Sequence, residues 1–208
     1  MIEFIPLGGA GEIGANCYYL NLDGLGIILD CGMHPQKTGL DSLPKFDLLK
    51  DKPTDYVLIS HAHQDHLNAL PFLIKKFPHL KIVTTPQTRA IAELTLHNAI
   101  SILKRQIDES EFEIYNRDEV DLLIKSINYK SYNEKFTLNS LNSASEAEFE
   151  FFDAGHIIGS AGILIRHEHK KIFFTGDIKL SSQTLLIEVA NLSDSFSQSF
   201  IREESVAP

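Results

Sequence analysis

The most constraining stretch of this 208-residue chain is a short apolar run, Tyr56-Val-Leu-Ile-Ser60, that ends directly in His61-Ala-His-Gln-Asp-His66. Three imidazoles and a carboxylate so close together are costly to bury unless a cation gathers them. A turn at the end of a strand brings alternate side chains to one point. His61 with His63, and Asp65 with His66, therefore read as two ligand pairs, which suggests two metals. Imidazole nitrogen and carboxylate oxygen suit zinc, with manganese or iron as alternatives. The competing reading, a polar loop or capped helix start with incidental histidines, leaves that density of ligands unexplained.

The rest of the chain must then build a scaffold that presents this strand end. With 43% hydrophobic and 23% charged residues the composition is that of a globular domain. A formal charge of −9, from 19 Lys+Arg against 28 Asp+Glu, argues against loose binding of nucleic acid over the whole surface. A local basic groove or a bound cation would override it. The two cysteines, Cys17 and Cys31, exclude a disulfide scaffold and fit a reducing compartment. No apolar run of about 18 residues suggests a membrane span, and the start of the chain lacks the features of a signal peptide. The expected localisation is cytoplasmic.

Strands are expected over 3–7, 17–20, 26–29, 56–60, 80–84, 149–152, 162–166 and 171–175, with helices over 68–77, 86–106 and 118–127. Residues 32–52 read as a long functional loop and 138–147, rich in Ser and Asn, as a loop or insertion. Runs of strands broken by a few helices point to an α+β fold of sheets covered by helices. Asp30 ends the strand Ile27-Ile-Leu29. It is either a turn aspartate or a carboxylate that orients a ligating histidine from behind. Two later motifs, Asp153-Ala-Gly-His156-Ile-Ile-Gly-Ser-Ala-Gly162 and Phe174-Thr-Gly-Asp177, each come after a strand, and each is weak alone. Gly9-Ala-Gly-Glu-Ile-Gly14 matches G-x-G-x-x-G, but Asn16-Cys-Tyr-Tyr-Leu20 after it reads as strand rather than helix, so the dinucleotide context fails. His79, His97, His167 and His169 are not expected to be ligands, with His167-Glu-His169 at a solvated hairpin tip. His34 sits in a loop able to reach substrate. Lys37, Lys45 and Arg89 are candidate phosphate contacts, with a solvated face as the plainer reading.

Taken in order, H-A-H-Q-D-H, G-H-I-I-G-S-A-G and F-T-G-D resemble the metallo-β-lactamase superfamily. Leu7-Gly-Gly-Ala-Gly-Glu-Ile-Gly14 with Asn16, and Leu29-Asp-Cys-Gly-Met-His-Pro35, resemble its β-CASP branch of RNA-processing nucleases. The resemblance spans about residues 1–190 and implies a four-layer αββα sandwich, here incomplete at its C-terminal side. It implies that His61, His63 and His156 hold one zinc, that Asp65 and His66 hold a second, and that Asp177 bridges both. Asp30 would stand behind a ligand, and Asp65 would accept a hydrogen bond from the attacking hydroxide, making Asp30 and Asp65 the catalytic pair. The implied activity is cleavage of an RNA phosphodiester, with DNA as the other substrate. The alternatives are a small-molecule thioester or lactone hydrolase, and a truncated non-catalytic relative that binds RNA or a partner nuclease. The lid domain and late histidine of that branch have no counterpart after Asp177, residues 191–208 read as a polar tail, and the second metal is left one ligand short. No membrane partner is expected; homo-oligomerisation stays open.

Overall fold

A computed structural model of the chain describes residues 1–106, 114–179 and 200–201. The first sheet runs in the order β1 (Ile2–Gly8), β2 (Cys17–Leu22), β3 (Leu25–Leu29), β4 (Tyr56–Leu58), β5 (Lys81–Thr84) and β6 (Asn128–Tyr129). Strands β1 to β3 form an antiparallel meander, and β3 to β6 are parallel. The β2–β3 hairpin turns at Asp23-Gly24, both at positive φ, the geometry that continues the natural twist of two paired strands.

Parallel strands reached by crossovers need cover on both faces, and the side-chain alternation supplies it. Leu25, Ile27 and Leu29 of β3 point into a core shared with the second sheet, while Ile28 points into a core shared with the helices. The helices are α1 (Gln64–Leu67), α2 (Leu70–Lys76), α3 (Pro86–Gln106) and α4 (Arg117–Ser126). Asn116 and Glu119 form a reciprocal capping box that starts α4. The second sheet has the order β11 (Phe200–Ile201), β10 (Lys170–Phe174), β9 (Ala161–His167), β8 (Glu146–Asp153), β7 (Lys135–Asn139). Its Phe149, Phe151, Ile163, Ile165 and Phe174 close the core against the first sheet.

Described residues thus make three layers, helices on sheet on sheet, in a mixed α+β fold. The helical layer expected over the second sheet lies outside the described residues, as does most of 191–208, although Phe200–Ile201 pair in parallel with β10. One expectation is corrected and two gain detail. Residues 138–147 are not an insertion: β7 and β8 pair as a hairpin, with Phe136 opposite Phe149 and Leu138 opposite Ala147, so the polar residues mark only its turn. The helix expected over 68–77 is α2, and a separate single turn, α1, comes before it; between the two the Ala69 N–H donates to the Cys31 carbonyl at 3.0 Å. The loop over 32–52 contains two short 3-10 turns, Gly39–Ser42 and Phe46–Leu49, the second anchored by buried Phe46 and Leu49. The two-residue β6, exposed and without alternation, carries too little signal to read in advance.

The backbone after β3 lies directly on the segment that carries Asp65 and His66. Cys31 N–H donates to the His66 carbonyl at 2.8 Å, and Asn16 N–H to the Asp65 carbonyl at 2.9 Å. A Cβ on Gly32 would stand 1.6 Å from the Asp65 carbonyl oxygen, so the two backbones meet only because residue 32 has no side chain. Gly32→Ala is expected to cost about 3 kcal/mol, the upper end for overpacking, and to lower the melting temperature by roughly 6–12 °C. Thermal and urea unfolding check this; an unchanged midpoint would mean that the contact does not hold the 65–66 segment.

Candidate metal centre

Every group in the site hangs from the C-terminal end of a strand. Asp30 comes after β3, Ser60 to His66 after β4, His156 after β8, and Asp177 after β10. The two sheets are stitched together there, since Ala161 N–H donates to the Ser60 carbonyl at 2.9 Å. The His156 loop is tied down from three sides. The Ser160 hydroxyl oxygen accepts from the N–H groups of His156 and Ile157, both at 3.2 Å. Thr85 and Thr88, at the start of α3, each donate a hydroxyl proton to the Gly159 carbonyl at 2.8 Å. Gly159 sits at φ +89°, where an added Cβ would press within 2.6 Å of the Thr88 nitrogen.

Asp30 sets the proton positions. It is fully buried at φ +57°, a left-handed conformation that Asp tolerates. Its carboxylate accepts from the Ser60 N–H at 2.6 Å, the Ser60 hydroxyl at 2.7 Å and His66 Nδ1–H at 2.8 Å. The Ser60 hydroxyl, having given its proton to Asp30, accepts from His61 Nδ1–H at 3.0 Å. Both rings therefore carry their proton on Nδ1 and turn the Nε2 lone pair into the cleft, as metal-ligating histidines do. Removing the carboxylate would strand three buried donors, each at about 1–3 kcal/mol.

The cleft side is a tight convergence. His63 Nδ1 lies 3.1 Å from both His61 Nε2 and His156 Nε2. Asp177 Oδ2 is 3.2 Å from His156 Nε2 and 4.0 Å from His61 Nε2. Donor atoms of these four residues all fall within 4.8 Å of one another. His66 Nε2 stands 3.5 Å from Asp177 Oδ1 and 3.6 Å from Asp65 Oδ2. Burial, with the neighbouring His66, drives the His61 imidazole well below its ordinary pKa; burial and His156 lower His63. Burial by itself would raise the Asp177 carboxyl, but the facing imidazoles of His156, His66 and His61 outweigh it and keep it ionised. Three neutral imidazoles and an ionised carboxylate thus aim donor atoms at one small space. About 3.4 Å is the edge of a tetrahedron built on metal–nitrogen bonds of roughly 2.0–2.1 Å, so the donor set fits a divalent cation in chemistry and in spacing.

The structure thus brings His61, His63, His66, Asp65, His156, Asp177 and Asp30 together. It does not bring His34 into the cluster: one ring nitrogen accepts from the Gln36 N–H, and the other stands 3.7 Å from Glu12. Lys37 is paired with Glu12 at 2.8 Å, and the Arg89 guanidinium lies over the Tyr129 ring. His167 is corrected from a solvated tip to a buried residue, its ring nitrogens 2.9 Å from the Glu146 carbonyl and 2.9 Å from Asp23. Reading the chain alone missed Ser60, the relay between Asp30 and His61, and the role of Asn16, whose amide nitrogen is 2.8 Å from His66 Nε2. A lone Ser before a His run and a lone Asn after a glycine loop carry no spacing signal.

Three imidazoles and a carboxylate gathered at the strand ends of a two-sheet sandwich make a candidate centre for a divalent cation. The chain belongs to the metallo-β-lactamase superfamily: the profile of the metallo-beta-lactamase superfamily domain matches residues 19–206. Among curated relatives, it is 32% identical over 178 residues to cleavage and polyadenylation specificity factor 73 of Drosophila melanogaster, covering 85% of this chain and 25% of that protein. It is 31% identical over 180 residues to cleavage and polyadenylation specificity factor subunit 3 of Dictyostelium discoideum, covering 85% and 22%. With endoribonuclease ysh-1 of Neurospora crassa it shares 30% identity over 187 residues, covering 89% and 21%. The chain therefore spans about a quarter or less of the length of these relatives. A crystal structure of a protein of unknown function from Enterococcus faecalis V583 shares the fold, with TM-score 0.56 and 19% identity over 86% of this chain and 44% of that one. No described helix is long and apolar enough to cross a membrane.

Proposed function

We propose that this chain carries the metal-binding part of a hydrolase that cleaves RNA phosphodiester bonds, with two zinc ions as its cofactors. The observation that carries the reading is the convergence of His61, His63, His156 and Asp177, from three separate strand ends, on one point. His61, His63 and His156 would hold one cation, Asp65 and His66 the other, and Asp177 would lie between them. Three imidazoles favour zinc at the first position, and the oxygen-richer second position suits zinc or manganese. Cations bound there lower the pKa of water and offset charge that builds on a phosphate in its transition state.

The chain's own groups have separable tasks. Asp30 and Ser60 hold the proton on Nδ1 of His66 and His61 and so keep both Nε2 atoms available. Asp65, partly open to solvent and 3.6 Å from His66 Nε2, would accept a proton from the attacking water. Relatives named as endoribonucleases favour phosphorus over carbonyl carbon as the centre attacked. Residues 1–190 form the metallo-β-lactamase-like unit of this reading. The two free, buried thiols, Cys17 and Cys31, accord with a reducing, cytoplasmic setting.

The test is turnover by zinc-loaded protein of three probes: bis(4-nitrophenyl) phosphate with a short RNA, a thioester and a lactone. Hydrolysis of the phosphodiester and the RNA, lost on chelation, is expected. Preference for thioester or lactone would move the chain to small-molecule hydrolysis. Bound zinc without any turnover would make it a non-catalytic binder.

A further inference from the structure

We propose that Asn16 is a ligand of the second cation, through its carboxamide oxygen. The inference rests on the metal reading above and adds a residue to it. Asn16 is buried, and its backbone is clamped to the segment it would serve: its N–H donates to the Asp65 carbonyl at 2.9 Å, and its carbonyl accepts from Gly32 N–H at 2.9 Å. Its side-chain nitrogen stands 2.8 Å from His66 Nε2 and 3.4 Å from Asp65 Oδ2. With His66 Nε2 at 3.6 Å from Asp65 Oδ2 and 3.5 Å from Asp177 Oδ1, the three longer separations are those of donor atoms around one cation, and the 2.8 Å contact is a hydrogen bond that a cation would replace.

The orientation of the amide depends on what it faces. Without a cation, the Nε2 lone pair of His66 and the Asp65 carboxylate are both acceptors, and the amide must offer them N–H. With a cation between them, both lone pairs are directed at the metal, and an N–H pointing the same way is repelled. Half a turn about the Cβ–Cγ axis exchanges nitrogen for oxygen at nearly the same place. The far end of the amide permits that turn. It meets the Tyr18 hydroxyl, which donates to Asn16 Oδ1 at 3.3 Å and is equally able to accept from an N–H. Asn16 then complements His66, Asp65 and Asp177 as a fourth protein donor. Because that set is richer in oxygen than the first, the second position admits a harder cation than the three-imidazole position does.

The experiment is a calorimetric titration of metal-stripped protein with zinc, on wild type, Asn16→Ala and Asn16→Asp, with circular dichroism as the check on folding. Wild type is expected to show two steps. In Asn16→Ala the second step weakens at least tenfold while the first is unchanged. Asn16→Asp restores or tightens it, because a carboxylate still offers oxygen. An Asn16 that only donates N–H to Asp65 predicts the reverse for Asn16→Asp, since two carboxylates would repel; this comparison stands even where the alanine variant fails to fold. A second step unchanged in Asn16→Ala, or weakened in Asn16→Asp, overturns the ligand role. A single step in wild type overturns it too, yet leaves the three-imidazole site standing. No zinc uptake at all overturns the metal reading itself.

Discussion

Alanine at position 61 is expected to leave a folded protein that no longer responds to divalent metal. Wild type, at a zinc concentration one hundred times its dissociation constant, gains about 2.7 kcal/mol of stability. That corresponds to roughly 5–10 °C in melting temperature for a domain of this size. His61 is fully buried and its Nε2 faces His63 Nδ1 across 3.1 Å, so in the proposed site it is a direct donor. Loss of a residue that merely orients a ligand costs 10–100-fold in affinity; loss of the ligand itself is expected to cost about 100-fold or more. At the same zinc concentration the variant then gains less than about 0.5 kcal/mol, close to 1 °C. The metal-free protein loses the hydrogen bond to Ser60 and gains a small cavity, a cost that lowers its own unfolding midpoint but is expected to leave it folded. Metal content after dialysis and thermal unfolding with and without zinc report the two halves of this outcome. A variant that keeps the full zinc-induced shift would remove His61 from the site.

Asp65→Asn is expected to abolish hydrolysis while sparing the fold. The Asp65 side chain is about one-third exposed and, among the described residues, its one hydrogen bond is the long one from Asn16 at 3.4 Å; its backbone carbonyl, which receives Asn16 N–H, is untouched by the substitution. Unfolding free energy should therefore stay within about 1 kcal/mol of wild type, as for substitutions away from buried networks. The rate is another matter. An amide oxygen can still meet a cation, more weakly than a carboxylate, but it lacks the basicity that takes a proton from water. Proton transfer by a placed side chain is worth about 10²–10⁴-fold, and a fall of at least that size is expected with bis(4-nitrophenyl) phosphate as substrate. Undiminished turnover with intact folding would assign the proton acceptor elsewhere, with Asp177 next in line by position.

The metal-centre residues were legible because their chemistry is dense. His61, His63, Asp65 and His66 crowd into one turn, and burying such a group without a cation is too costly to arise from chance packing. His156 and Asp177 were legible only in company, as the later members of an ordered set of motifs. Asp30 was ambiguous from the sequence, and the structure shows why: it is both things at once, a left-handed turn aspartate and the acceptor that orients His66. Strand boundaries tracked the alternation of side chains wherever both faces were buried. They were misjudged at 138–147, where Ser and Asn of a hairpin turn outweighed the inward-facing Phe136, Leu138 and Ala147.

By itself, then, the sequence determined the candidate ligand types, their grouping and the strand that delivers the 61–66 cluster, because residue chemistry and short-range spacing survive in one dimension. Only the tertiary structure decided which ring nitrogen carries the proton, that Ser60 relays Asp30 to His61, that Gly32 must be bare, and that Asn16 stands beside His66. Each of these depends on a contact between segments that are distant along the chain, and such a contact leaves no periodic trace in either segment.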